Sequence, residues 1–135
     1  MVFTMKNCNI IYKSIGGLGK NEFSCKGTYQ NKGELSLIKF SYNNGEELAD
    51  YSFSILKNNI LRLTKKGDVS YTLVFDETNP YSTNAESLGF KIPITLNSNK
   101  IKITTSDNSI TIFLDYKLNV GGNVSFEKIT LSVNF

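Results

Sequence analysis

Strict two-residue alternation near the C-terminus constrains this chain more than any other feature. Ile110, Ile112, Leu114, Tyr116 and Leu118 fall on alternate positions, with Thr111, Asp115 and Lys117 between them and Phe113 as the apolar exception. Successive strand residues point to opposite faces, so this spacing predicts a strand with one buried face. Asn119-Val120-Gly121-Gly122-Asn123 follows as a turn, because Gly and Asn tolerate the positive φ that hairpin loops need. On the return strand Ile129, Leu131 and Val133 share a face, with Lys128, Thr130 and Ser132 opposite. The pair spans Ser109 to Phe135, and the rest of the chain is expected to close more hairpins onto it.

The upstream sequence repeats this pattern. Cys8, Ile10 and Tyr12 alternate with polar residues before the turn Gly16-Gly17-Leu18-Gly19, and Phe23, Cys25, Gly27 and Tyr29 alternate after it. A third strand, Glu34 to Tyr42, changes phase. Leu35 and Leu37 point one way and Ile38, Phe40 and Tyr42 the other, which predicts a bulge between Leu37 and Ile38. Tyr51, Phe53 and Ile55 line a fourth strand, Ile60 to Lys65 forms a fifth, and Val69, Tyr71, Leu73 and Phe75 line a sixth. Glu77 to Gly89 breaks the rhythm and is expected to be a crossover or a short irregular edge strand, with a binding loop as the sharper alternative. Ile92, Ile94 and Leu96 follow in a strand that Pro93 confines to an edge or a bulge. Ser98-Asn99 then turns into Ile101 and Ile103.

About ten short strands at this spacing, with no helical period, predict an all-β antiparallel barrel or sandwich. An open sheet would leave two unpaired edges that invite aggregation, and closure removes both. The expectation is therefore an antiparallel barrel of about eight to ten strands, in one domain over residues 1–135. A barrel of that size holds a small ligand or is filled by its own side chains.

Composition narrows the function classes. The chain has no His, which removes Ser-His-Asp and Cys-His nucleophilic sites, most zinc sites and the usual general base near neutral pH. No catalytic residue, metal or cofactor is expected, and the enzyme class ranks last. The net charge is +3, yet Arg62 is the only Arg among 15 basic residues. Arg supplies the bidentate fork for phosphate and guanine, so nucleic acid is not an expected partner. No run approaches the ~20 apolar residues of a membrane span. Without an apolar leader, the two Cys point to reduced thiols in a cytoplasm.

From the second strand onward the chain resembles the YwiB-like family, small uncharacterised bacterial proteins with a calycin-type, lipocalin-like β-barrel. The residues that carry the likeness are Gly27-Thr28-Tyr29, Lys65-Lys66-Gly67 before a strand ending in Phe75, Gly89 before a strand, and Leu114-Asp115-Tyr116-Lys117-Leu118 before a glycine turn. The chain departs from the family pattern at Lys65, where an Arg is usual, at Asn43, and at Leu88, where a Tyr is usual. The resemblance implies the fold and supplies no activity.

Several side chains are candidates for function. Tyr12, Tyr29, Tyr51, Tyr71 and Tyr116 lie on inward faces, where each brings an apolar ring and a hydroxyl that needs a partner. They orient a ligand in a mostly apolar pocket or bond one another in a filled core. Arg62 shares a face with Ile60. If that face lines the interior, its charge needs an acidic side chain or a bound carboxylate. Lys57, Lys65 and Lys66 are expected on a charged edge. Cys8 and Cys25 are expected as small buried hydrophobes on the first hairpin. Asp115 and Glu127 are expected opposite the apolar face, in water.

Two functions follow. The first is a binding module that holds a small, largely apolar ligand, with Arg62 or tyrosine hydroxyls near its polar end. The second is a structural or protein-interaction module, a filled barrel that forms a homodimer through an edge strand or a patch including Val74 and Phe113.

Overall fold

The structure is a computed structural model that describes residues 5–135. Its elements are β1 (Met5–Gly16), β2 (Gly19–Lys32), β3 (Leu35–Asn43), β4 (Leu48–Ile55), a short 3-10 turn (Lys57–Asn59), β5 (Leu61–Lys66), β6 (Val69–Phe75), β7 (Tyr81–Ser87), β8 (Phe90–Thr105), β9 (Ser109–Val120) and β10 (Asn123–Asn134). Each strand pairs antiparallel with its sequence neighbour, and β1 pairs with β10 to close the ring. This is the all-β antiparallel barrel expected, at ten strands, and it fits a calycin-like fold.

Period two decides which side chains go in. Ile10 and Tyr12 of β1 lie opposite Val133 and Leu131 of β10, and Leu114 of β9 lies opposite Ile129. Directly opposed residues share a face, so the alternating apolar positions of every strand converge on one interior. Phe53, Phe75, Ile38, Leu61, Leu63, Leu96, Ile112 and Leu131 are fully buried there. Removing each from water stabilises the fold by about 1.5–3 kcal/mol, which is why the alternation dominates the sequence.

Local expectations fare differently. No bulge separates Leu37 from Ile38. The β2–β3 and β3–β4 registers run unbroken, and Leu35 and Leu37 lie half-buried on the outer side. The bulge sits instead in β8, where the pairing with β9 shifts between Ser98 and Lys100. Ser98-Asn99 is thus a kink inside one long strand rather than a turn. The irregular stretch after Glu77 contains β7, opposed to β8 from Tyr81↔Leu96 to Ser87↔Phe90. One strand more and one turn fewer leave the total at ten.

Pro93 lies in neither an edge strand nor a bulge. It stands one residue before the β8–β9 ladder begins at Ile94↔Val120, and its carbonyl accepts the Gly121 N–H at 3.0 Å. The nitrogen and oxygen of one strand residue point to the same side. The missing N–H therefore faces Gly121, in the turn beyond the last ladder pair, so no bond of the β8–β9 ladder is lost.

The wall is weakest between β6 and β7, which pair only at Val69↔Ser87 and Ser70↔Glu86. β7 begins at Tyr81, opposite Leu96, so β8 beyond Leu96 lacks a β7 partner, and groups from the flanking turns cover that edge. Glu77 Oε2 accepts the Ile101 N–H at 3.0 Å, Asn59 Nδ2 donates to the Ile101 carbonyl at 3.0 Å, and Ser98 Oγ accepts the Asp76 N–H at 3.1 Å. No helix among the described residues is long and apolar enough to cross a membrane.

Candidate functional site

The two ends of the barrel differ. The end that carries the β2–β3 and β8–β9 connections is filled by fully buried side chains such as Ile38, Leu61, Phe75 and Ile112. At the other end the β1–β2, β3–β4, β5–β6, β7–β8 and β9–β10 connections surround an opening. Inside it lies a cavity of about 300 Å³. Its walls include Leu73, Ala85, Ile92, Ile94, Leu118 and Ile129, and its polar groups include Tyr12, Tyr71, Tyr116, Ser14 and Glu127.

Three of the five candidate tyrosines line this cavity. Tyr51 stands behind them, its ring centroid 5.4 Å from that of Tyr12 and stacked on Phe40 at 5.0 Å. Tyr29 is on an inward position but near the plugged end. Its hydroxyl lies 3.3 Å from Ser36 Oγ and its ring 5.1 Å from that of Phe135. Arg62 is exposed on the outer face between the buried Leu61 and Leu63, so the structure removes it from the site. Ile60, by which that face was judged, precedes β5 and so does not set its phase.

Burial drives the tyrosine chemistry. It pushes Tyr51 up to about 12, with Tyr12 and Glu47 adding to the effect. It raises Tyr12 as well. Tyr71 rises through burial, then through Tyr12, Tyr51 and Glu47, and Tyr116 through burial, then through Tyr12, Tyr71 and Glu127. The phenols at this mouth therefore stay neutral at physiological pH and act as hydrogen-bonding groups.

Two carboxylates sit at the same end, and neither was expected there. Glu127 is 7% exposed and lies directly opposite Tyr116 in the ladder, so both point inward. The expectation of a solvated Asp115–Glu127 pair fails for Glu127. Its position is in phase with Ile129, Leu131 and Val133, whereas Asp115 is out of phase with Leu114 and Tyr116. Glu127 Oε2 accepts the Leu18 N–H at 3.3 Å. Gly16 makes room for it, since a Cβ there would lie 2.2 Å from Oε2.

Glu47 repeats the arrangement one turn away. Its Oε2 accepts the Asp68 N–H at 2.6 Å, and a Cβ on Gly67 would lie 2.7 Å from that oxygen. Glu47 also has a cation: Lys65 Nζ lies 3.6 Å from Oε1, with both side chains less than one-fifth exposed. Lys65 thus faces inward opposite Tyr51 and Tyr71, and is not part of a charged edge. No ion pair to Glu127 forms among the described residues.

The rim of the opening carries exposed apolar side chains among its polar ones. Ile15, Leu18, Leu48, Val69, Leu88, Phe90, Val124 and Phe126 are all exposed. Each of the five connections at this end has at least one of them in it or beside it.

A larger hollow of about 660 Å³ lies on the outer face over β2 to β5, walled by Lys26, Lys39, Asp50 and Lys66. All four are exposed, and Ser41 Oγ donates to Asp50. It is a furrow in a solvated surface with no buried polar group aimed into it, so the interior cavity is the better candidate. Val74 and Phe113 are half-buried on β6 and β9, with β7 and β8 between them, and share no patch. Cys8 is buried and Cys25 partly buried. They lie diagonally across the first hairpin as free thiols, and burial raises both.

Fold and site together define a closed ten-stranded antiparallel barrel with one plugged end and one open, tyrosine-lined end. The chain belongs to the family described as a domain of unknown function, DUF1934, whose model matches residues 8–133. In fold it is similar to the crystal structure of the ywiB protein from Bacillus subtilis. That likeness has a TM-score of 0.82 and 13% identity, over 96% of this chain and 92% of that one. The resemblance to the YwiB-like family is thereby borne out. No curated protein matches the chain.

Proposed function

We propose that the barrel binds a small, largely apolar molecule in the cavity at its open end. The observation that supports this best is the cavity itself. At about 300 Å³ it falls at the lower end of the range that small-molecule sites occupy, with apolar walls and a few convergent polar groups. The polar end of the ligand meets the hydroxyls of Tyr12, Tyr71 and Tyr116. The reading is of a binder and not an enzyme, since the chain has no His to serve as a base near neutral pH. It places the protein in a cytoplasm, with both thiols reduced.

The test uses benzyl alcohol as a neutral probe in an NMR titration. Backbone shifts at Tyr12, Leu73, Ile94 and Leu118 are expected at millimolar probe, and Ala85→Phe, which fills the cavity from its wall, removes them. Shifts that persist in Ala85→Phe, or none in the native protein, would sink the reading. The exposed apolar side chains of the rim favour a second reading, a homodimer joined mouth to mouth. Light scattering decides it, because a monomer at high concentration would rule the pairing out.

A further inference from the structure

We infer that the molecule held in the open end carries an ammonium group, seated between the Glu127 carboxylate and the rings of Tyr12, Tyr71 and Tyr116. This rests on the binding function proposed above and specifies its ligand. The contrast between the two carboxylates at the mouth carries the argument.

Glu47 and Glu127 are built alike, each anchored to a backbone N–H of a neighbouring turn and each packed where a glycine leaves room. Glu47 has its cation in Lys65 at 3.6 Å. Glu127 is the more deeply placed and has no cation within ion-pair distance among the described residues. A buried carboxylate without a counter-charge is costly, and buried charges are as a rule paired, which makes Glu127 the group at this mouth that lacks its complement. The hydrogen bond found for it engages Oε2, which leaves Oε1 for another donor. Lys20 is the other charged residue lining the cavity, and it stands exposed on the rim.

The surroundings suit an alkylammonium in particular. Three phenol rings line the same cavity as the carboxylate. Aromatic faces attract a desolvated cation through their quadrupole, and the attraction is largest where water is excluded. The phenols are neutral at pH 7, so Glu127 is the anion that lines this cavity. Leu73, Ala85, Ile92, Ile94, Leu118 and Ile129 give an aliphatic wall that accepts the body of the molecule. The space matches roughly ten water molecules, which limits that body to a single ring or a short chain.

The test compares three probes of one shape by NMR titration at pH 7: benzylammonium, benzyl alcohol and benzoate. Benzylammonium is expected to bind at least tenfold tighter than benzyl alcohol, and benzoate more weakly than either. Glu127→Gln keeps an oxygen to accept the Leu18 N–H and removes the charge. It is expected to bring benzylammonium and benzyl alcohol within about twofold of each other. The ranking in the native protein stands whether or not the variant folds. Equal binding of the ammonium and the alcohol overturns the inference and leaves the cavity reading intact. An ammonium preference that survives in folded Glu127→Gln also overturns it. If none of the three probes binds, both readings fall.

Discussion

Gly16 and Glu127 make one unit in which the absence of a side chain at one residue permits the burial of another. A methyl on Gly16 would meet the carboxylate at 2.2 Å and the Phe126 carbonyl oxygen at 2.4 Å, and the latter is backbone that cannot swing away. Gly16→Ala is therefore expected to destabilise the fold by about 1–3 kcal/mol, the usual cost of overpacking. A thermal melt checks this, and an unchanged midpoint would show that the hairpin yields freely. The unit was only half legible. Parity with Ile129 assigns Glu127 to the interior, but its charge argues for water, and charge is the weaker guide where a neighbouring turn offers an N–H. Nothing in the sequence near Glu47 announces Lys65 or Asp68, because their meeting depends on three-dimensional closure. Arg62 was legible from Leu61 and Leu63 alone, and Ile60 misled because it lies outside the strand.

Strands make the next scale, and here β8 is the instructive element. It outlasts β7 by nine residues, from Asn97 to Thr105, and its bare edge is covered by Glu77, Asn59 and the backbone N–H of Asp76, which donates to Ser98 Oγ. Uncovered edges recruit other chains, so this cover has a protective role. Glu77→Ala is expected to cost about 0.5–1.5 kcal/mol and to speed hydrogen exchange at the Ile101 amide, while exchange at Leu131 reports only the global change. Unaltered protection at Ile101 would mean the glutamate is dispensable. The strands of the first and last hairpins were legible because their apolar phase never slips. The β8 kink was not, since Ser98-Asn99 has the same composition as a turn. The false bulge in β3 arose because Leu35 and Leu37 pack on the outside, where a pattern argument expects polar residues.

Across the whole molecule, apolar filling at one end gives way to phenols, carboxylates and space at the other. This gradient predicts the response to alkali. In the unfolded chain tyrosine ionises near 10, whereas Tyr51 is pushed to about 12 and Tyr12, Tyr71 and Tyr116 are also raised. Above pH 10 the unfolded state thus binds fewer protons than the native one, and stability falls as pH rises. The contribution is complete below about pH 10 and is lost as pH climbs toward 12. Phenolate absorbance from these four residues is expected to appear together with the loss of the far-ultraviolet dichroism of the sheet. Their titration near 10 in an intact barrel would contradict the assignment. The ring closure itself was legible from the number of strands and the cost of edges. The division into a full half and an open half was not, because both halves are written in the same alternation.

The opening has a kinetic corollary. Four of the five connections around it are two residues long, at Gly17-Leu18, Gly67-Asp68, Leu88-Gly89 and Gly121-Gly122, and the fifth is only Asn44 to Glu47. None of the five has the length to swing across as a lid. A guest bound as proposed would enter and leave without waiting for a loop to move, at rates set by diffusion and desolvation.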